Sequence, residues 1–267
     1  MVWRMENLKK VIKSWENMFR QIEGPELEPY PWHSHYLSER CIKNGLTLFG
    51  SRLSGRILDI GAGTGHGARY LRSENTEYYP TDLPTGRDRL NGNISKRTEK
   101  LKIYCSGYAL PFIDECMGGT MLIFVLEHLE DPKLVLSEAY RVTKMGGYLL
   151  IATPFSFPVH GFPSDYRRWT LEGLKIETNN AGFKVMDEIS IGDAFASLAL
   201  NVNLLLKYHL RQSRWKLIRL ATILATPFTI LLQLMMNYIA ILLGPLDQSR
   251  AFPLGTAILC KKMNKIP

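Results

Sequence analysis

Short apolar runs punctuate the middle of the chain, each followed by a turn or by a stretch with apolar residues at helical spacing. The runs are RILDI (56–60), EYYPTD (77–82), LKIYCS (101–106), GGTMLIFVL (118–126), GGYLLIAT (146–153), FKVMDEIS (183–190) and GTAILCKK (255–262). Between them, GHGARYLRS (65–73) opens a helix. DPKLVLSEAYRVTK (131–144) places Leu134, Val135, Ala139 and Val142 at helical spacing, and TLEGLKIETNNAG (170–182) is a third helix entered at Thr170. Strands alternating with helices predict an α/β fold, a doubly wound and mostly parallel seven-stranded sheet with helices on both faces. Strands apolar along nearly their whole length fit a sheet covered on both sides.

The flanks break this rhythm. Residues 1–50 read as helical, interrupted by EGPELEPYPW, and 191–253 read as a helical insertion before the last strand. The predicted organisation is an N-terminal helical segment (1–50), a sheet domain (51–190 with 254–267) and the insertion (191–253). Leu220 to Leu243 forms 24 residues without a charge, long enough to cross a bilayer. Lys207, Arg211, Arg214, Lys216 and Arg219 precede it, as at an interface with anionic lipid. A single crossing would strand GTAILCKK on the far side from its own sheet. The earlier run, Ala194 to Leu206, is too short to be the matching span. The insertion is therefore expected to lie on a membrane surface or to form a re-entrant hairpin broken at Pro227, with a greasy helical cap over the active site or a dimer interface as the alternatives.

Composition narrows the class. The chain has 267 residues, 46% hydrophobic and 22% charged, with a formal net charge of +8. Much of that excess sits beside apolar residues in the insertion, and no aromatic-and-basic strand pair of the RNA-binding kind appears, so no nucleic-acid partner is expected. Cys41, Cys105, Cys116 and Cys260 form no CxxC pair and suit reduced thiols. The first nineteen residues read as an amphipathic helix without a secretory h-region. A cytoplasmic protein is expected, with peripheral contact at the inner face of the membrane.

The chemistry concentrates at RILDIGAGTGHG, where a strand runs into a glycine turn and a helix. In a doubly wound sheet ligands bind beyond the carboxyl ends of the strands, and glycine lets them approach the backbone. Asp82 ends the second strand 23 residues after Asp59, placed for the two hydroxyls of a ribose. The ligand therefore carries a nucleoside. The turn is G-x-G-x-G with His66 where a dinucleotide fingerprint needs glycine. Asp59 ahead of it suits a cationic amine and would repel a pyrophosphate. A nicotinamide oxidoreductase is disfavoured accordingly.

RILDIGAGTG, TDLP, ALPF, LEHLEDP and RVTKMGGYLLIATP, in this order and spacing, resemble class I S-adenosylmethionine-dependent methyltransferases, in the subgroup acting on small molecules, quinones and glycans. The resemblance covers residues 50–190 and the last strand. It implies S-adenosylmethionine as cofactor, with Gly61, Ala62, Gly63, Thr64 and Gly65 lining it and Asp59 near its amino-acid moiety. It also implies Asp82 on the ribose, Leu83 on the adenine, Ser106, Gly107, Tyr108, Ala109 and Leu110 along the adenine edge, and Phe124 beside the cofactor. Two departures stand out. Ser106 replaces the usual Asp, and Met117-Gly118 replaces the usual Phe-Asp. Some relatives hold a divalent ion on Glu-x-x-Glu-His and a later histidine. Here Glu127, His128 and His160 match but Phe124 stands at the first Glu. Hard cations prefer more carboxylate oxygens, so no metal is expected.

Methyl transfer to oxygen benefits from a general base, and histidine suits neutral pH. His160 and His128 follow the fifth and fourth strands, on the ligand side of the sheet. His128 reads equally as a helix-start residue. SDYRRWT offers Asp165, Tyr166, Arg167, Arg168 and Trp169 for a sugar or phosphate on the acceptor. Alternatively it is a helix entrance with Thr170 as N-cap and Trp169 in the core. The expected function is O-methylation of a lipid-linked, glycan or other small-molecule acceptor. A quinone or polyketide phenol methyltransferase is the near alternative, and an inactive cofactor-binding partner subunit the alternative from another class. Acceptor identity and oligomeric state have no readable code.

Overall fold

The computed structural model describes residues 29–63, 65–83, 103–209 and 225–263. Thr64, the amphipathic N-terminus and most of the basic run before the long apolar stretch lie outside these residues. The chain divides into two compact units, Lys43–Ile191 with Leu254–Pro267, and Met1–Ile42 with Gly192–Pro253.

The first unit holds a seven-stranded sheet. Its strands are β1 (Gly55–Ile60), β2 (Thr76–Asp82), β3 (Ile103–Tyr104), β4 (Met117–Ile123), β5 (Thr143–Pro154), β6 (Phe183–Ile191) and β7 (Gly255–Lys262). They run in the order β3-β2-β1-β4-β5-β7-β6. All neighbouring pairs are parallel except those of β7, which is antiparallel to both β5 and β6. The order reverses between β1 and β4, which opens a crevice at their carboxyl ends.

Apolar strand residues pack into one cluster that includes Leu58, Leu122, Leu149, Ile151 and Ile258. Helix α1 (Tyr36–Gly50) precedes the sheet, and α2 (Pro132–Val142) and α3 (Leu171–Asn180) follow β4 and β5. In α2 the residues Val135, Leu136, Ala139 and Val142 are buried at the predicted spacing, while Leu134 is exposed. Asp131 caps α2 by accepting from the Lys133 N–H. Thr170 caps α3 through the Gly173 N–H at 3.1 Å, the role expected for it.

One element is much shorter than expected. The segment after the glycine turn forms only a five-residue 3₁₀ helix, His66–Tyr70, and the chain is extended again at Leu71. Gly65 and Gly67 depress helix propensity, and Gly67 is pressed against Asp59, so the backbone serves close packing rather than helix growth.

The second unit contains α4 (Ala194–Leu204) and α5 (Thr226–Leu243). In α5 the buried residues are Thr226, Gln233, Asn237 and Ala240. The amide of Asn237 accepts from Asn203 at 3.1 Å and donates to the Pro31 carbonyl at 2.7 Å. Phe228, Leu231, Met235, Tyr238 and Leu242 are exposed. This polarity is inverted relative to a helix that buries its apolar stripe.

Candidate active site

The glycine turn at the tip of β1 is built from backbone strain and one carboxylate. Gly61 has φ +74°, and a side chain there would place its Cβ 2.8 Å from the Val125 side chain. Only glycine combines that conformation with that approach. The Gly63 N–H donates to Asp82 Oδ2 at 2.8 Å, and the Leu83 N–H donates to Oδ1 at 2.7 Å. The residue expected on a ribose therefore also braces the turn.

Asp59 sits beneath the turn. It is buried and accepts from the Tyr78 hydroxyl at 2.5 Å. A Cβ added at Gly67 would lie 2.1 Å from its Oδ2. Burial outweighs the Tyr78 hydrogen bond and pushes the Asp59 carboxyl up to about 7.

A cleft of about 650 Å³ opens at the carboxyl ends of β1, β2 and β4. Of the residues expected on the cofactor, Gly61, Asp82, Leu83, Ser106, Gly107, Tyr108 and Phe124 line it. Asp59, Ala62, Gly63, Gly65, Ala109 and Leu110 are not among the lining residues. Phe124 adopts φ +57°, an uncommon conformation for an aromatic residue, and its N–H is held by the Ala152 carbonyl. The Ser106 hydroxyl accepts from the Tyr108 N–H at 3.2 Å. Gly118 stands where a Cβ would meet the Ser54 carbonyl oxygen at 2.5 Å, so no side chain fits there without backbone movement.

Next to the cleft the structure brings together three residues from two loops. His128, in the short 3₁₀ turn Leu126–His128 after β4, lines the cleft. His160, in the loop after β5, stacks edge-on against it with ring centroids 4.9 Å apart. Both rings turn Nε2 towards Glu127 Oε1, at 3.8 Å from His128 and 4.0 Å from His160. Glu127 is fully buried, and neither of its carboxylate oxygens has a hydrogen-bond partner among the described residues. Burial pushes its carboxyl up to about 8. Burial likewise lowers His160, against the opposing pull of Asp165.

The SDYRRWT loop is tied down from within. Arg168 grips Asp165 through its two terminal guanidinium nitrogens, at 2.5 and 2.8 Å, and donates to the Phe157 and Pro158 carbonyls. Burial alone would raise Asp165, but Arg168 and the His160 N–H outweigh it and hold the carboxyl at about 2. Arg167 donates to the Leu129 and Glu130 carbonyls. Trp169 packs against the core cluster. Tyr166 alone of the five candidate acceptor residues lines the cleft, and its hydroxyl donates to Glu130 at 3.1 Å.

Three residues outside the sequence expectations help build the site. Tyr78 holds Asp59, Glu130 anchors Tyr166, and the Ser164 carbonyl meets His128 Nδ1 at 2.6 Å. No pattern in a single sequence marks them, since two act through long-range contacts and one through its backbone.

The cleft fits an adenosyl cofactor. Its volume lies in the usual range for small-molecule pockets, and a carboxylate, close backbone at Gly61 and an aromatic side chain converge on it.

Comparison with known proteins agrees. Residues 58–151 match the methyltransferase domain family. A demethylmenaquinone methyltransferase of Renibacterium salmoninarum is 31% identical over 127 residues, covering 47% of this chain and 52% of that protein. The ubiquinone/menaquinone biosynthesis C-methyltransferase of Xylella fastidiosa is 30% identical over 125 residues, covering 43% and 45%. The chain thus spans about half the length of these curated relatives. Among solved structures, a chain from the complex between the Haloferax volcanii Trm112 methyltransferase activator and a methyltransferase superposes with TM-score 0.51 at 17% identity, covering 86% of this chain and 93% of that one. The [4+2]-cyclase SpnF superposes with TM-score 0.50 at 15% identity, covering 84% and 81%. At such identities these two structures speak for the fold alone. The sheet order, the braced glycine turn and the match over 58–151 together identify a class I S-adenosylmethionine-dependent methyltransferase domain in this chain.

Proposed function

We propose that this protein methylates the oxygen of a small, apolar, hydroxyl-bearing acceptor. The observation that carries the reading is the convergence of Glu127, His128 and His160 beside the cleft, where an acceptor hydroxyl would be activated. When bound, S-adenosylmethionine supplies an electrophilic methyl group whose bonding pair stays on the departing sulfur. The protein's own contribution is placement. Asp82 and the backbone at Gly61 would hold the nucleoside, and Phe124 lines the cleft beside them. The histidine cluster receives the acceptor hydroxyl, whose proton must leave as the new carbon–oxygen bond forms.

A second reading is favoured by the relatives, which are named for demethylmenaquinone and quinone C-methylation. A deprotonated quinol is nucleophilic at its ring carbon as well as at oxygen, so the same cluster would serve ring methylation.

The inverted helix α5 supports acceptor delivery from a lipid surface. Within Thr226–Leu246 the most apolar 18-residue window has mean hydropathy 1.7, yet only 17% of that window is buried. Its amides face inward and its apolar residues outward, the arrangement of a helix lying on hydrocarbon. We infer peripheral contact of this unit with a membrane surface.

The test is incubation with methyl-labelled S-adenosylmethionine and either a membrane-lipid extract or a reduced quinone, with the product located by mass spectrometry and NMR. A labelled methoxy group is expected. Label on a ring carbon would replace the first reading with the second. Cofactor binding with no labelled product from any extract would instead indicate a partner subunit.

A further inference from the structure

We propose that Arg141 and Glu138 are positioning residues for the cofactor, holding the turn Ser106–Ala109 in place at the cleft wall. The inference rests on the reading of the cleft as the cofactor site. Neither residue lines the cleft, whereas Ser106, Gly107 and Tyr108 of the turn do.

The turn has little sheet of its own to hold it. Strand β3 before it is two residues long and is followed by one more backbone bond, from the Cys105 N–H to the Asp82 carbonyl at 3.0 Å. The turn then closes on itself, with the Ala109 N–H donating to the Ser106 carbonyl at 3.2 Å. Its place is set from the side of α2. Just before that helix the Glu130 N–H donates to the Tyr108 hydroxyl at 3.1 Å. Beneath the turn, a Cβ added at Gly107 would lie 3.4 Å from Val135 Cγ1 on α2 and 3.1 Å from Ile60 Cγ2 on β1.

The strongest tie is made where the chain leaves the turn, at Leu110. Glu138 Oε2 accepts from the Leu110 N–H at 2.8 Å, and Arg141 donates to the Leu110 carbonyl at 3.0 Å, so both polar groups of that residue are gripped from α2. Arg141 also donates to the Phe112 carbonyl at 2.7 Å and to Asp114 at 2.8 Å. Two further bonds, at 2.7 and 2.8 Å, lock it side by side onto Glu138. A guanidinium has five N–H groups, and these five bonds engage all of them. The bonds from Arg141 hold the Glu138 carboxyl below the usual carboxylate range, so the pair stays charged at neutral pH. A lysine has neither the fork nor the number of donors to replace Arg141. Leu110 lies two residues from Tyr108, so movement at the clamp is passed to the cleft wall, where a misplacement of about 1 Å is enough to cost about a hundredfold in function.

The experiment compares full-length wild type with Arg141→Ala, Arg141→Lys and Asp82→Ala. S-adenosylmethionine affinity is read by calorimetry well below each melting temperature, and amide hydrogen exchange is followed over residues 106–112. Both Arg141 variants are expected to bind the cofactor about tenfold or more weakly and to exchange the Leu110 amide faster. The Arg141 side chain is 31% exposed, so methylguanidinium can enter the place left by Arg141→Ala. It should restore affinity and protection there but not in Arg141→Lys, whose ammonium occupies the space. A fall in melting temperature with affinity unchanged in both variants would make the clamp merely structural and overturn the positioning role. Weakened affinity without faster exchange at Leu110, or without rescue, would overturn it as well. Asp82→Ala tells the two failures apart: it weakens binding if the clamp alone is at fault, and leaves binding unchanged if the reading of the cleft is.

Discussion

The backbone N–H of Gly63 and the carboxylate of Asp82 meet at 2.8 Å, tying the tip of β1 to the end of β2. The second oxygen of Asp82 caps the Leu83 N–H. Asp82→Ala removes both caps as well as the proposed ribose contact. Cofactor affinity should fall by about 1–3 kcal/mol, the range for leaving such groups unpaired, as read by calorimetry with S-adenosylmethionine. Unchanged affinity would remove Asp82 from the cofactor site.

Gly63 in the turn and Gly67 in the short helix after it should respond differently to alanine. At Gly67 the new methyl would lie 2.1 Å from Asp59 Oδ2 and 2.9 Å from Met121 Cε. Overpacking of this kind costs about 1–3 kcal/mol. At Gly63 nothing lies within 4 Å, and only the left-handed φ of +58° opposes a side chain, costing about 1–2 kcal/mol. Urea melts of the two variants should rank Gly67→Ala as the more destabilised. The reverse order would contradict the packing beneath the turn.

Asp59 gives stability a pH dependence with an unusual sign. Burial raises its carboxyl from the ordinary value of 3.8 to about 7, so the folded protein binds its proton more tightly than the unfolded chain. The contribution is present in full below pH 4 and is lost as pH rises towards and through 7. A shift of this size corresponds to on the order of 4 kcal/mol. Asp59→Asn should flatten the decline in unfolding free energy between pH 5 and pH 8. A wild type and variant with parallel profiles would show that Asp59 titrates normally.

His160→Ala should lower methyl transfer by about a hundredfold or more, the usual worth of an activating side chain. The loop stays tied by the Arg168–Asp165 pair, so cofactor affinity should be preserved. Single-turnover measurements separate the two effects, and a wild-type rate would take His160 out of the reaction.

The outward face of α5 can be tested apart from catalysis. Leu231 and Met235 are 54% and 51% exposed. Replacing both with Glu should abolish flotation with vesicles containing anionic lipid and leave the melting temperature in place. Asn237→Leu should lower the melting temperature instead, because it removes the bonds to Asn203 and Pro31. Undiminished flotation of the double variant would refute the lipid contact.

The strand order and the site read unequally from the chain. The strands β1, β4, β5 and β7 were legible because buried strands are apolar and bounded by glycine and polar turns, whereas β2 and β6, largely half-buried or exposed, were marked by their place in the alternation with helices. The helix after Gly65 was not, because its brevity is imposed by the contact of Gly67 with a side chain eight residues back. The arginines of SDYRRWT show a similar limit. Residue type suggests anion binding, yet Arg167 and Arg168 are engaged with the protein's own carbonyls and Asp165. Side-chain chemistry is written in the sequence, but the partner that consumes it is not.

By itself the sequence determined the alternation of elements, the glycine turn and the carboxylate one strand over, since these depend on local periodicity and on residue types at fixed spacing. Only the tertiary structure decided that Glu127 is buried without a hydrogen-bond partner beneath the His128 and His160 rings, at 3.8 and 4.0 Å, and that α5 turns its amides inward. Both are matters of which faces meet when loops and helices fold back on one another, and no local preference encodes that.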